Sequence, residues 1–312
     1  MRYKLLGSSA LRVSVVGLGT WVMGGENWGK ADDAKSIATI QKAIDSGINL
    51  IDTAPAYGNG HAEEIVGKAI KGKRSKVIIA TKCGIDRRSG FEFNLKPEFI
   101  RIELENSLKR LNIDVIDLYQ CHWPDPSTPV EDSMNELIKM QSQGKIRYIG
   151  VSNFDVTLLE KALKTTPIVS VQPHYSLLER DIEKDLLPFC REKNIGVLTY
   201  GSIAGGILTG KYKKPKNFGG ADARNFFYAF FKEPYWSKAQ KLISEIKEIA
   251  EKHGKPLTQM AINWVTQQEG ITTALVGART PEQIEINAGA GEWELTLEEL
   301  QQIQDSYNRI FV

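Results

Sequence analysis

Eight short runs rich in Val, Ile and Leu recur along the chain, and longer segments with helical spacing fall between them. We place the strands at residues 15–19, 49–53, 77–82, 115–122, 148–153, 168–172, 196–201 and 273–278. Several of these runs are apolar throughout and do not alternate with polar residues. Strands covered on both faces read this way. Among the intervening segments, 34–46 carries Ile37, Ile40, Ala43 and Ile44 on one stripe and stops at Gly47. Segment 97–110 opens with Pro97 in its first turn and carries Ile100, Leu104 and Leu108 on one face. Segments 237–253 and 256–266 form a further helical pair. Strand-then-helix order implies a parallel sheet, and eight such units close a (β/α)8 TIM barrel. An open doubly wound sheet is the alternative that pattern alone leaves standing. Ahead of the first barrel strand, residues 2–6 and 11–15 flank Gly7-Ser8-Ser9, an arrangement expected to form a β-hairpin that plugs the N-terminal mouth.

The chain has 312 residues, which a single barrel domain spanning 1–312 accommodates. With 42% hydrophobic and 25% charged residues it has the composition of a globular protein. A net charge of +2 gives no field of the kind nucleic-acid or anionic-membrane binders carry. No run approaches the roughly 18 apolar residues of a membrane helix. The three cysteines, Cys83, Cys121 and Cys190, are odd in number and widely spaced. Neither a disulfide framework nor a structural metal site is expected, and the expected setting is cytoplasmic. One segment breaks the rhythm: residues 202–236 hold Gly205-Gly206, the lysines Lys211, Lys213, Lys214 and Lys216, and seven aromatic residues from Phe226 to Trp236. It reads either as a lid over a ligand or as a loop whose aromatics pack on a barrel helix.

In barrels of this kind chemistry sits at the C-terminal strand ends. Four ionisable groups arrive there from three successive strands: Asp52, Tyr57 five residues on, Lys82 and His122. Each alone is a commonplace cap, ion-pair partner or core residue; their convergence is not. A Lys cation close to a phenol favours phenolate and lowers the tyrosine pKa, and Asp52 is placed to keep Lys82 charged. A tyrosine so tuned is a general acid for an oxygen that gains negative charge, with His122 a second donor. That combination suits reduction of a carbonyl by a hydride donor. The peptide Gly17-Leu18-Gly19-Thr20-Trp21 only partly matches a dinucleotide fingerprint, since Val22 stands at the third glycine position. A nucleotide must therefore be held otherwise. Ser152 and Asn153 end strand five, Gln172 ends strand six, and Tyr200 on strand seven suits stacking on a flat ring. After strand eight, Thr280-Pro281 opens a helix whose N-terminus attracts anions, with Arg279 beside it.

These residues carry a resemblance. Asn49-Leu50-Ile51-Asp52-Thr53-Ala54-Pro55-Ala56-Tyr57-Gly58 resembles the Asp-Thr-Ala-x-x-Tyr-Gly signature of the aldo-keto reductases. Ile79-Ala80-Thr81-Lys82, Asp117-Leu118-Tyr119-Gln120-Cys121-His122, Gly150-Val151-Ser152-Asn153-Phe154 and Gln172 follow in the family's order and spacing. The likeness is nearest to bacterial general-stress-type reductases of aldehydes. It implies that Asp52, Tyr57, Lys82 and His122 match the family's catalytic tetrad. It implies a cofactor, NADPH more often than NADH, contacted by Gly19, Thr20, Trp21, Asp52, Ser152, Asn153, Gln172 and Tyr200. Gly201, Ser202, Ile203, Gly206, Gly277, Ala278, Arg279, Gln283 and Asn287 complete the set. Where the mammalian branch grips the 2′-phosphate with a Lys-Ser pair and an Arg, this chain reads Gly277, Ala278 and Gln283. It resembles instead branches with Gly-x-Arg, in which Arg279 takes the phosphate.

The expected function is thus NADP(H)-dependent reduction of aldehydes or ketones to alcohols, by a monomer or weak homo-oligomer acting on small carbonyls without metal, nucleic acid or membrane. Two other readings stand beside it. One is a Schiff-base lyase using Lys82, which leaves Tyr57 without a role. The other is a regulatory protein of the same fold, as in the potassium-channel β subunits; His122, commonly Asn in that branch, argues for catalysis. Cys83 and Cys121 neighbour tetrad residues, and strand alternation points them outward, towards the helices.

Overall fold

A computed structural model of the chain describes residues 1–88 and 90–312. Its strands are β1 (Tyr3–Leu5), β2 (Arg12–Ser14), β3 (Val16–Gly19), β4 (Leu50–Asp52), β5 (Ile78–Cys83), β6 (Ile85–Asp86), β7 (Glu92–Phe93), β8 (Ile116–Cys121), β9 (Ile146–Ser152), β10 (Ser170–Gln172), β11 (Gly196–Thr199) and β12 (Ile271–Gly277). Eight of them, β3, β4, β5, β8, β9, β10, β11 and β12, pair in parallel and close on themselves, with β12 beside β3. Helices lie between successive barrel strands, so the fold is the (β/α)8 barrel and not the open sheet. Each expected strand exists, with ends shifted by one or two residues. β9 and β12 each begin two residues early, at Ile146 and Ile271, and Tyr200 lies just outside β11 in a single bridge to His174.

The continuous apolar runs follow from two layers of burial. Residues facing the helices, such as Ile51, Ile79, Tyr119 and Val151, join the large core that fills the space between barrel and helices. Their inward neighbours Leu50, Ala80, Leu118 and Leu198 form a second, smaller core inside the barrel. Cys83 and Cys121 are free and buried in the outer core, with Ile100 and Leu104 of the helix Pro97–Leu111. The period-2 alternation of a strand thus separates Cys83 from Lys82, and Cys121 from Gln120, by one residue and one face. The helices carry their own stop and start signals. Asp32 caps the helix Asp33–Asp45 through Lys35 N, and Thr296 with Glu299 forms a capping box at the helix Leu297–Phe311.

The N-terminal hairpin β1–β2 closes the bottom of the barrel. Leu6, Leu11 and Val13 enter the inner core beside Leu50, Leu118 and Val169. Lys4 Nζ ties the hairpin to the wall by donating to Thr266 O at 2.8 Å and Ile271 O at 2.7 Å. Above this plug the interior is crowded: a Cβ on Gly150 would lie 2.5 Å from Ser170 Oγ and 3.1 Å from Leu118 Cδ1. The barrel is a packed core, and space for a ligand exists only past its C-terminal rim.

Because Leu6 is fully buried under that rim-to-plug stack, Leu6→Ala is expected to lower unfolding stability by about 2–5 kcal/mol. Equilibrium urea denaturation checks this, and an unchanged midpoint would show that the hairpin is not part of the barrel core.

Candidate active site

Inside the barrel, two residues above the apolar layer, the inward positions turn polar. Asp52 stands above Leu50, Lys82 above Ala80 and Gln120 above Leu118; Gln172 takes the corresponding place on β10. These four meet. Lys82 Nζ donates to Asp52 Oδ1 at 2.6 Å, to Thr53 O at 3.0 Å and to Tyr57 Oη at 3.2 Å, so all three ammonium donors are used. Asp52 Oδ2 accepts from Gln172 Nε2 at 2.8 Å and from Gln120 Nε2 at 3.3 Å. Burial alone works against the charge on Lys82, but Asp52 and the Tyr57 oxygen outweigh it and hold its pKa above the ordinary lysine value.

Tyr57 is carried on a tight loop after β4. Gly58 has φ +65°, and a Cβ there would lie 2.1 Å from Gly24 O, so the loop's close packing on the preceding segment requires glycine. Trp21 stacks on the Tyr57 ring at 5.8 Å, and His122 meets it edge-on at 5.8 Å. The phenol accepts from Lys82, and its own proton finds no acceptor among the described residues. Here the structure corrects the expected pKa. Burial raises the Tyr57 phenol, and the pull of Lys82 does not overcome it, so the net direction is upward from 10.0. Burial, with the Lys82 charge, also holds His122 well below its usual value, which makes it a neutral imidazole.

Tyr57 and His122 face a cavity of about 730 Å³ at the C-terminal rim. Of the residues expected at a cofactor, Gly19, Trp21, Asp52, Ser152, Asn153, Gln172, Tyr200, Gly201, Ser202, Ile203, Gly206, Gly277, Ala278, Arg279, Gln283 and Asn287 all line it. Thr20 does not: it is buried and bonds backward to Asp52 O at 3.0 Å. Nor does Lys82, fully buried behind Tyr57, so an imine at its nitrogen would have to displace Asp52, Thr53 and Tyr57 at once.

Several lining groups are fixed by bonds among themselves. Asn153 Nδ2 donates to His122 O at 3.0 Å, and its Oδ1 accepts from Tyr200 Oη at 2.9 Å. One face of the Tyr200 ring is stacked on His174 at 5.0 Å with planes 4° apart. Gln172 spends its amide nitrogen on Asp52, and its Oε1 accepts nothing among the described residues. Gln283 Oε1 accepts from Arg279 N at 2.8 Å, while Thr280 Oγ1 caps Gln283 N, so the helix Pro281–Gly289 presents its N-terminus beside an exposed Arg279. The segment 202–236 divides its aromatics. Phe218, Phe230, Phe231 and Trp236 are buried as core, whereas Phe227 and Tyr228 line the cavity, Phe227 edge-on to Trp21 at 5.5 Å. Sequence reading missed Trp28, Arg87, Phe91, Trp123, Lys211 and Arg224 on this wall. Lys211 lay in a noted basic run and Arg224 opens the short helix Arg224–Phe227, while the others sit on loops where no periodicity distinguishes them.

Residues 15–308 match the model of the aldo/keto reductase family. The chain belongs to that family. It is 42% identical over 307 residues to aldo-keto reductase YhdN of Bacillus subtilis, covering 97% of this chain and 92% of that one. It is 37% identical over 302 residues to the NADH-specific methylglyoxal reductase of Escherichia coli, covering 91% and 92%. Among solved structures, the glycerol dehydrogenase of Gluconobacter oxydans superposes with a TM-score of 0.91 at 40% identity, covering 99% and 96%. An aldo/keto reductase from Klebsiella pneumoniae in complex with NADP and acetate gives 0.79 at 29%, covering 98% and 96%. The chain is therefore an oxidoreductase of this family, whose members use nicotinamide cofactors. No described helix is long and apolar enough to cross a membrane, and no cluster of three or more potential metal ligands occurs among the described residues.

A charge pair as deeply buried as Asp52–Lys82 is costly to break from one side. Lys82→Met is expected to destabilise the protein by about 3–5 kcal/mol, and adding Asp52→Asn should restore much of that loss. A double-mutant cycle by denaturant unfolding tests it; additive losses would mean that the pair is not coupled.

Proposed function

We propose that the whole chain acts as one barrel domain that reduces aldehydes or ketones to alcohols with NADPH, Tyr57 serving as general acid. The observation that carries this reading is the phenol of Tyr57, held by Lys82 at 3.2 Å with no acceptor for its proton among the described residues, beside a neutral His122 on the cavity wall. The nicotinamide, when bound, supplies hydride to the carbonyl carbon. Tyr57 donates its proton to the carbonyl oxygen as negative charge develops there. His122 donates a second hydrogen bond to the same oxygen. The Lys82 cation stabilises the phenolate left behind, and Asp52 with Gln120 and Gln172 keeps that cation in place. The raised Tyr57 pKa keeps the acid protonated throughout the neutral range, which favours reduction.

The residues on the cavity wall suit the cofactor. The free Gln172 Oε1 accepts from a carboxamide, Tyr200 offers its unstacked face to a flat ring, and Lys211, Arg279 and the helix N-terminus after Thr280 attract phosphates. Arg279 is the residue we assign to the 2′-phosphate, which makes NADPH the favoured partner. The lyase reading loses its nucleophile to burial, and the regulatory reading has no use for the proton-donor geometry. Small aldehydes are the expected substrates, a class that includes methylglyoxal, the substrate named for the Escherichia coli relative.

Tyr57→Phe should cut aldehyde-dependent oxidation of NADPH by about 10²- to 10⁴-fold while the fluorescence titration with NADPH is retained. Turnover near the wild-type rate would overturn the acid assignment. For wild type, kcat/KM for reduction is expected to stay flat from neutral pH and to fall only above the ordinary phenol value of 10.0, because the protonated form is the active one. Arg279→Ala should weaken NADPH binding about tenfold, equivalent to about 1.4 kcal/mol, with much less effect on NADH. Equal weakening of both nucleotides would remove Arg279 from the phosphate.

A further inference from the structure

Beside Tyr57 the cavity wall is aromatic: Trp21 packs on Tyr57, Trp28 and Phe227, and Phe91 and Trp123 are linked through Phe93. Arg87 stands among them. It follows β6, and its Nη1 donates to Ala56 O at 3.1 Å, the residue immediately before Tyr57. Among the described residues its only ion-pair partner is Glu26, at 2.5 Å from the same Nη1. Nε and Nη2 donate to nothing among the described residues, so one edge of the guanidinium fork is unused. The neighbouring groups do not compete for it. Asp86 is taken by Arg88 through Nε at 3.0 Å and Nη2 at 2.6 Å. Arg224, the other arginine near Trp28, is saturated: Nε and Nη2 bond Asp222 at 2.8 Å and 2.6 Å, and Nη1 bonds Tyr212 Oη at 3.0 Å. The charges of Asp52 and Lys82 cancel against each other beneath Tyr57. Among the described residues, Arg87 is thus the one arginine beside the proposed proton donor with an unspent edge.

Given the reductase reading above, on which this inference rests, we propose that Arg87 selects carbonyl substrates with a flat or apolar body and a carboxylate at the end remote from the carbonyl. A guanidinium edge with two parallel N–H donors matches a carboxylate in geometry, and a partly water-excluded aromatic wall strengthens the bond. Glu26 sits on Nη1 beside that open edge, and its negative charge competes with an incoming carboxylate for the guanidinium. The side chains of Arg87 and Glu26 are 31% and 37% exposed, so their pair is weak and exchangeable. The carbonyl oxygen then meets Tyr57 and His122, the body lies between Trp21 and Trp123, and the carboxylate meets the open edge of Arg87.

The test compares kcat/KM of the full chain for 4-carboxybenzaldehyde and for its neutral methyl ester, with NADPH or NADH in excess. In wild type the acid is preferred, and added NaCl lowers the preference. In Arg87→Leu the acid-to-ester ratio falls about tenfold, through KM of the acid, and loses its salt dependence. Glu26→Gln raises the ratio roughly threefold by removing the competing carboxylate, and this variant decides the matter if Arg87→Leu fails to fold. An unchanged ratio in both variants, or an equal loss on acid and ester in Arg87→Leu, overturns the assignment and reduces Arg87 to a support for the Tyr57 loop. If wild type reduces neither compound nor any neutral aldehyde, the reductase reading itself falls and takes this inference with it.

Discussion

The site depends on one buried ion pair. Asp52 and Lys82 are both out of water, at 3% and 0% exposure, a placement that costs free energy unless every lone pair and proton is matched. Here the match is nearly complete. Lys82 spends its three donors on Asp52, Thr53 and Tyr57, and the second Asp52 oxygen is met by two glutamines. The partners come from β4, β5, β8 and β10, so the pair is satisfied only when the sheet has curved far enough to bring Gln172 across the interior. Barrel closure and the state of the tyrosine are in this sense one event.

The same closure sets a vertical order inside the barrel. A hairpin plug and a layer of Leu and Ala fill the lower part, leaving no room even for a Cβ at Gly150. Polar residues follow one layer higher, and only beyond them does the wall open. Chemistry is confined to the rim because rigid packing below holds each strand end in position. That rigidity extends to the cavity wall, where Tyr200 is pinned by Asn153 and His174 and Gln172 by Asp52.

Electrostatics then divides the cavity. Lys211, Arg279 and a helix N-terminus gather positive potential where polyphosphate is proposed to bind. Aromatic rings and Arg87, whose Nε and Nη2 have no partner among the described residues, line the cavity beside Tyr57, the proposed proton donor. Tyr57 shows how burial and charge compete: Lys82 favours phenolate, but desolvation of the ring wins, and the phenol stays loaded with its proton. The expected downward shift fails because proximity to a cation can be read from residue types, while the depth of burial cannot.

The sequence alone determined the parts governed by local rules. Apolar runs separated by amphipathic segments gave the strands and four of the helices, at 34–46, 97–110, 237–253 and 256–266, within a few residues, since side-chain period and capping are properties of neighbours in the chain. The spacing from Asp52 to Tyr57, and the strand ends at Lys82, His122, Asn153 and Gln172, placed the proposed reacting groups at one rim, because a strand end has a fixed position in a parallel barrel. Tertiary structure alone decided the rest. It turned Thr20 away from the cavity and drew Gln120 into the ion-pair network. It split the aromatics of 202–236 between core and wall, and it set Arg87, Trp28, Phe91 and Trp123 around Tyr57. Arg87, Trp28, Phe91 and Trp123 sit on loops, whose courses are fixed by packing against distant segments, and no local periodicity encodes such contacts.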